Sequence, residues 1–266
     1  MPLNHTSGQL LTIGDAQIYV QESGSPQGPA VLLLHGGLGN LHDFDSIAQR
    51  LGTEFRLIAM DLRGHGKSSL GTKALSYAQY QADVLAVLDE LQLAQVAIVG
   101  FSDGGIVGYR LAASNPERIR ALVTLGAQWR LLPDDPSIPM LQGLSVQGWN
   151  AMFPQAIAQY SQLNPQGDFG VLLDAVKGVW LDTDCATGYP GEGVAEIRSP
   201  TLIVRGDADP FLALSEACAL QAQIAGAGLL NIPFVGHSAH DEANAVFLSA
   251  VVPFLRAPQP LEALHS

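Results

Sequence analysis

Short apolar runs alternate along this chain with stretches in which apolar residues recur every three or four positions. Ala30–Leu34 is a continuous apolar run of strand length, as expected of a strand covered on both faces, and Phe55–Met60 reads in the same way. Tyr77–Leu91 predicts a helix: Tyr80, Val84, Val87, Leu88 and Leu91 share one face, and Ser76 is placed to cap it. Val96–Val99 predicts the next strand, Gly104–Ser114 a helix closed by Asn115-Pro116, and Ala121–Leu125 a further strand. At the start, Leu10–Ile13 and Gln17–Glu22 predict a hairpin turned at Gly14-Asp15. Towards the end the pattern gives a strand at Thr201–Val204, a helix at Leu212–Ala225, a strand at Leu229–Ile232 and a helix at Ala243–Leu255. Pro253 is expected to interrupt that last helix, and Ala257–Ser266 reads as a loose tail.

Alternating strands and helices predict an α/β fold with a mostly parallel sheet and helices on both faces. The texture changes between 130 and 198. Several Pro and Gly occur there, no strand pattern is visible, and the apolar bulk lies in Trp149, Met152, Phe153, Tyr160, Leu172, Leu173, Trp180 and Tyr189. The expectation is a core of residues 1–129 and 199–266 with a small, mainly helical cap, residues 130–198, inserted between two strands.

Composition narrows the function classes. The chain has 266 residues, of which 47% are hydrophobic and 14% charged, enough apolar material for one large core. The net charge of −12 argues against nucleic acid and anionic membranes as partners. Cys185 and Cys218 form no C-x-x-C pair and have no metal-ligand spacing, which predicts two reduced, structural cysteines. The N-terminus lacks a basic region followed by an apolar core, and no apolar run reaches membrane-spanning length. A cytoplasmic protein, monomer or homodimer, is the expectation.

The candidate chemistry centres on Gly100-Phe101-Ser102-Asp103-Gly104, where an apolar strand runs directly into a helix. A serine on so tight a turn is exposed, and the following helix N-terminus faces the place where an oxyanion would form. Such a serine needs a base, and the base an orienting acid. Gly206-Asp207-Ala208-Asp209 offers two acids past a strand end, and Gly236-His237-Ser238-Ala239-His240 two histidines after the last strand.

Together with His35-Gly36-Gly37 and Asp61-Leu62-Arg63-Gly64-His65-Gly66-Lys67-Ser68, these motifs resemble the α/β-hydrolase superfamily over nearly the whole chain outside the cap. The resemblance implies Ser102 as nucleophile, Asp209 as acid and His237 as base. It implies an oxyanion hole from the N–H groups of Gly37 and Asp103, with Leu38 as an alternative to Gly37. His35, Arg63 and His65 are expected to brace the structure, and His240 to pack or cap. The Ser-Asp-Gly-Gly wording resembles the valacyclovir hydrolase-like branch, in which Asp103 would bind a cationic acyl group; the competing role is to favour the helix N-terminus. Leu38, Asp103, Trp129, Trp149, Phe153 and Trp180 are the candidates for lining a substrate pocket. The implied activity is hydrolysis of a small or medium carboxylic ester without metal or organic cofactor. A C–C bond hydrolase, lactonase, perhydrolase or acyltransferase would use the same triad, and a weakly catalytic ligand receptor is the alternative outside the enzymes. Dehalogenases and epoxide hydrolases of this fold carry Asp where Ser102 stands.

Overall fold

The computed structural model describes residues 3–259. The chain runs β1 (Gln9–Ile13), β2 (Ala16–Gly24), β3 (Ala30–Leu34), α1 (Asp45–Gly52), β4 (Arg56–Met60), α2 (Tyr77–Glu90), β5 (Val96–Phe101), α3 (Asp103–Ser114) and β6 (Ile119–Leu125). Four helices follow: α4 (Ser137–Gly143), α5 (Val146–Met152), α6 (Ala156–Leu163) and α7 (Phe169–Trp180). The chain closes with β7 (Thr201–Gly206), α8 (Leu214–Gln223), β8 (Gly228–Ile232), α9 (Ala239–Glu242) and α10 (Asn244–Arg256). The strands form one eight-stranded sheet in the order β1-β2-β4-β3-β5-β6-β7-β8. β1 and β2 form an antiparallel hairpin, β2 also pairs antiparallel with β4, and all pairings from β4 to β8 are parallel.

Side-chain alternation on β3 explains why both faces are covered. Val31 and Leu33 point to one face, where Ile47 and Leu51 of α1 and Phe247, Val251 and Leu255 of α10 pack. Leu32 and Leu34 point to the other, against Val84 and Leu88 of α2, Val107 and Leu111 of α3 and Leu220 of α8. Fully burying such a side chain contributes roughly 1.5–3 kcal/mol, so the two layers hold the central strands from both sides. A third cluster lies between β6 and β7 in sequence: Tyr160, Phe169, Leu172, Leu173 and Val176 pack around Leu38 of the β3–α1 loop.

One helix was not expected, and two expectations need correction. α1 carries no long apolar stripe, since Ile47, Ala48 and Leu51 alone are buried, and the sequence pattern passes over it. Pro253 does not interrupt α10, which runs to Arg256 with Pro253 on its exposed side while Val251, Val252 and Leu255 hold the helix in the core. Cys185 and Cys218 are free but exposed, so neither is a packed structural residue. From residue 260 onward the expected tail lies outside the described residues. Among those residues, no helix is long and apolar enough to cross a membrane.

Candidate active site

Ser102 closes β5 and stands immediately before α3 with φ 49° and ψ −117°. A side chain with Cβ rarely adopts such a backbone, and holding it there costs on the order of 1–3 kcal/mol. The surroundings over-determine the turn. The Ser102 N–H donates to Leu125 O at 2.8 Å, and the Ser102 carbonyl accepts from Gly105 and Ile106 N–H. Gly104 has no room for a side chain, because a Cβ there would collide with the carbonyl of Leu34. The Gly104 N–H instead donates to His35 O at 3.0 Å, tying the elbow to the loop after β3.

The loops after β7 and β8 bring Asp209 and His237 together. His237 Nδ1 lies 3.0 Å from both Asp209 carboxylate oxygens. Because a carboxylate only accepts, Nδ1 carries the proton and Nε2 is the acceptor of the ring. Phe211 and Leu212 N–H donate to Asp209 Oδ1, fixing the carboxylate. Phe101 and Phe211 flank the imidazole, with ring centroids at 4.9 and 4.8 Å. Asp207, the other acid candidate, is exposed, whereas Asp209 is buried. His240 is turned away from the pair: its Nε2 donates to the backbone carbonyl of Asp43 at 2.7 Å, and its ring packs on Phe101.

The loop after β3 is braced from below. His35 Nε2 accepts from Leu62 N–H at 2.9 Å, so Nδ1 carries the proton and donates to Gly36 O at 2.7 Å. Burial holds the His35 pKa below the usual histidine value, which keeps the ring in this neutral form. Arg63 and His65 also point into the structure. Arg63 is buried and pairs with Asp83 and Asp15, and His65 bonds the Arg63 carbonyl. Leu38 adopts φ 60° and sends its side chain into the cluster of the β6–β7 segment.

Asp103 is the first residue of α3, so its N–H is one of those a helix start leaves unpaired. Its side chain is buried. Tyr77 Oη donates to Oδ1 at 3.0 Å, and Trp180 Nε1 lies 2.9 Å from both oxygens. Burial raises the carboxyl to about 6; the bonds from Trp180 and Tyr77 oppose the rise. Tyr77, buried beside that charge, is raised well above its usual value and remains a neutral donor. Sequence reasoning missed Tyr77 and Tyr189, which line the same cavity as Ser102 but sit in no local motif.

That cavity holds about 620 Å³. Ser102, Asp103, His237, Gly37 and Leu38 line it from the sheet side, and Trp149, Phe153 and Trp180 from the β6–β7 segment. Trp129 does not line it, contrary to expectation. Its indole N–H donates to Glu216 at 3.1 Å and Arg130 stacks on the ring, which draws the side chain into the core.

Comparisons with known proteins agree with this fold. A family model described as alpha/beta hydrolase fold matches residues 29–175. The chain is 31% identical to serine hydrolase BPHL of Mus musculus over 81% of this chain and 76% of that one. It is 34% identical to a fluoroacetate dehalogenase of Burkholderia sp over 44% of this chain and 40% of that one. For four of the relatives it matches, the aligned stretch spans between 36% and 56% of the relative's length. A solved hydrolase from Pseudomonas aeruginosa PA01 superposes with a TM-score of 0.79 at 28% identity, covering 96% of this chain and 100% of that one. With the family model matching more than half of the chain, this protein belongs to the alpha/beta hydrolase fold family.

Proposed function

We propose that the chain is a serine hydrolase that cleaves a small or medium carboxylic ester through an acyl-enzyme at Ser102. The observation that carries this reading is the strained Ser102 turn on the wall of a cavity that also holds His237, with its Nδ1 committed to Asp209. His237 Nε2 takes the Ser102 proton as Oγ attacks the ester carbonyl, and returns it to the leaving alcohol. Asp209 holds the tautomer and stabilises the imidazolium. The N–H groups of Asp103 and Gly37, with Leu38 as the alternative to Gly37, stabilise the oxyanion; one such donor is worth roughly 3–4 kcal/mol. Water activated by His237 then releases the acid.

Residues 130–198 serve as a cap over the cavity. Its walls are mainly apolar: Ile106, Leu141, Leu144, Trp149 and Phe153 are among them, and none of the described lining residues is Lys or Arg. Asp43 and Asp103 contribute carboxyls instead. This lining weighs against an anionic substrate, because a carboxylate on the substrate would be desolvated without a partner. It also weighs against those C–C bond cleavages whose substrates carry carboxylates.

Steady-state hydrolysis of p-nitrophenyl butyrate by wild type and Ser102→Ala tests the reading. The expected result is continuous turnover that falls by roughly 10⁴-fold or more in the variant. A single burst without turnover would favour a receptor, and equal rates in both proteins would remove Ser102 from the chemistry.

A further inference from the structure

Asp43 is a carboxyl on the cavity wall that the proposed mechanism leaves without a task. It lies in the short 3-10 turn Leu41–Phe44, ahead of α1. Its Oδ2 accepts the N–H of Gly36 at 3.1 Å. Gly39 closes over the same carboxyl so tightly that a Cβ on Gly39 would collide with Oδ2. Gly36 in turn lies directly against the nucleophile turn: a Cβ there would sit 3.3 Å from Ser102 Cβ and 3.0 Å from the Phe101 ring. At its other end Asp43 is held by the segment that carries the base, since His240 Nε2 donates to its backbone carbonyl at 2.7 Å. Burial pushes the Asp43 carboxyl up to about 7, and the N–H groups of Gly36 and Asn40 oppose that rise. A carboxyl that is costly to bury is thus spent on backbone N–H groups of the loop beside Ser102, that of Gly36 among them.

We propose that Asp43 is a positioning residue: through the Gly36 N–H it sets the height of the Gly36–Gly37–Leu38 loop over Ser102, and through its carbonyl it ties that loop to the segment bearing His237. The proposal rests on the serine-hydrolase reading above. The oxyanion donor of this loop is thus placed by an acceptor that lies outside the hole, five residues after Leu38 and six after Gly37. A donor misplaced by a fraction of an ångström loses stabilisation in the transition state and little in substrate binding.

The test compares Asp43→Ala, which leaves the Gly36 N–H without its acceptor, with Asp43→Asn, whose amide oxygen can replace it. Hydrolysis of p-nitrophenyl butyrate, the Ki of phenylboronic acid and the melting temperature are measured for each, with Ser102→Ala alongside. Expected for Asp43→Ala are a kcat about 10-fold or more lower, a KM within threefold of wild type, and a boronic acid Ki raised by a similar factor. Asp43→Asn is expected to restore kcat to within about threefold. If Asp43→Ala does not fold, Asp43→Leu, branched at Cγ like Asn but without an acceptor, takes its place. A kcat within twofold of wild type in Asp43→Ala, or Asn no better than Ala, overturns the proposal. Activity surviving in Ser102→Ala instead overturns the underlying reading, whatever Asp43 does.

Discussion

Trp180 Nε1 lies 2.9 Å from both carboxylate oxygens of Asp103, so the last residue of α7 is bonded to the residue that follows the elbow serine. The same pair walls one side of the oxyanion loop. A Cβ on Gly37 would sit 2.6 Å from Asp103 Oδ2 and 2.6 Å from Trp180 Cζ2. The position of the β6–β7 segment, the carboxylate and the loop are therefore set by a single contact set. Two neutral donors on the protein, Tyr77 and Trp180, occupy the Asp103 carboxylate.

Trp180→Phe keeps the ring and removes the donor. A buried carboxylate that loses a hydrogen bond costs about 1–3 kcal/mol, so urea unfolding at pH 7.5 is expected to show a loss of that size. KM for p-nitrophenyl butyrate is expected to rise, because Trp180 also lines the cavity. Unchanged stability together with unchanged KM would mean that the bond contributes nothing in water.

The pH dependence of Asp103 follows from its carboxyl being raised to about 6 by burial. In the folded state it keeps its proton to higher pH than in the unfolded chain, whose carboxyl ionises near 4. Between about pH 4 and pH 6 the folded state binds more protons, so the stability owed to this group falls as pH rises through that window and stays low above it. Asp103→Asn removes the ionisation. Relative to wild type, the variant is expected to gain stability between pH 4 and pH 8, by at most about 3 kcal/mol. Chemical denaturation at the two pH values measures the difference, and a difference independent of pH would show that the carboxyl is not raised.

The parts of the site legible in the sequence are those whose constraints are local. Ser102 and Gly104 announce themselves because the turn holds Ser102 at φ 49° and leaves no room for a side chain at Gly104. The two acids of Gly206-Asp207-Ala208-Asp209 could not be told apart by spacing alone. What separates them is the pairing of the Asp207 N–H with Ile232 O, which leaves Asp207 exposed and turns Asp209 inward to His237. Trp129 was misplaced for the reverse reason: its partner Glu216 lies 87 residues away, and no pattern links them. Tyr77 was visible only as the first residue of the predicted helix, since its hydroxyl reaches Asp103 across 26 residues. Asp43 sits in the short turn Leu41–Phe44, which has no periodicity, and its bond to Gly36 spans seven residues.

Acid stability should be governed in part by the buried histidines. Burial, helped by the neighbouring His35, lowers His65 to about 3. Below about pH 6.5 the unfolded chain takes up a proton on this side chain while the folded chain does not until about pH 3. Stability owed to this group is therefore present above pH 6.5 and is lost as pH falls through the window, at about 1.4 kcal/mol per pH unit. His65→Gln is expected to lower stability at pH 7.5 yet flatten the loss between pH 6.5 and pH 4. Unfolding free energies of both proteins along this range check it, and parallel curves would show that His65 is protonated in the folded state.

The most direct probe of the His237–Asp209 pair avoids both residues. Gly126 directly follows β6 with φ +59°, and a Cβ there would lie 2.8 Å from His237 Nδ1 and Cε1 and 2.9 Å from Asp209 Oδ2. Gly126→Ala must therefore push the imidazole off its carboxylate or strain the strand end, besides holding alanine in a left-handed conformation. Gly143, at the end of α4, has nothing within 4 Å of the same position, and Gly143→Ala serves as the control. Hydrolysis of p-nitrophenyl butyrate by Gly126→Ala is expected to fall by roughly 10²-fold in kcat, while Gly143→Ala stays near wild type. Melting temperatures separate a displaced imidazole from a misfolded chain: the expected loss of kcat accompanies a folded protein with a cooperative transition. Full activity in a folded Gly126→Ala would mean that catalysis does not depend on the contact between His237 and Asp209.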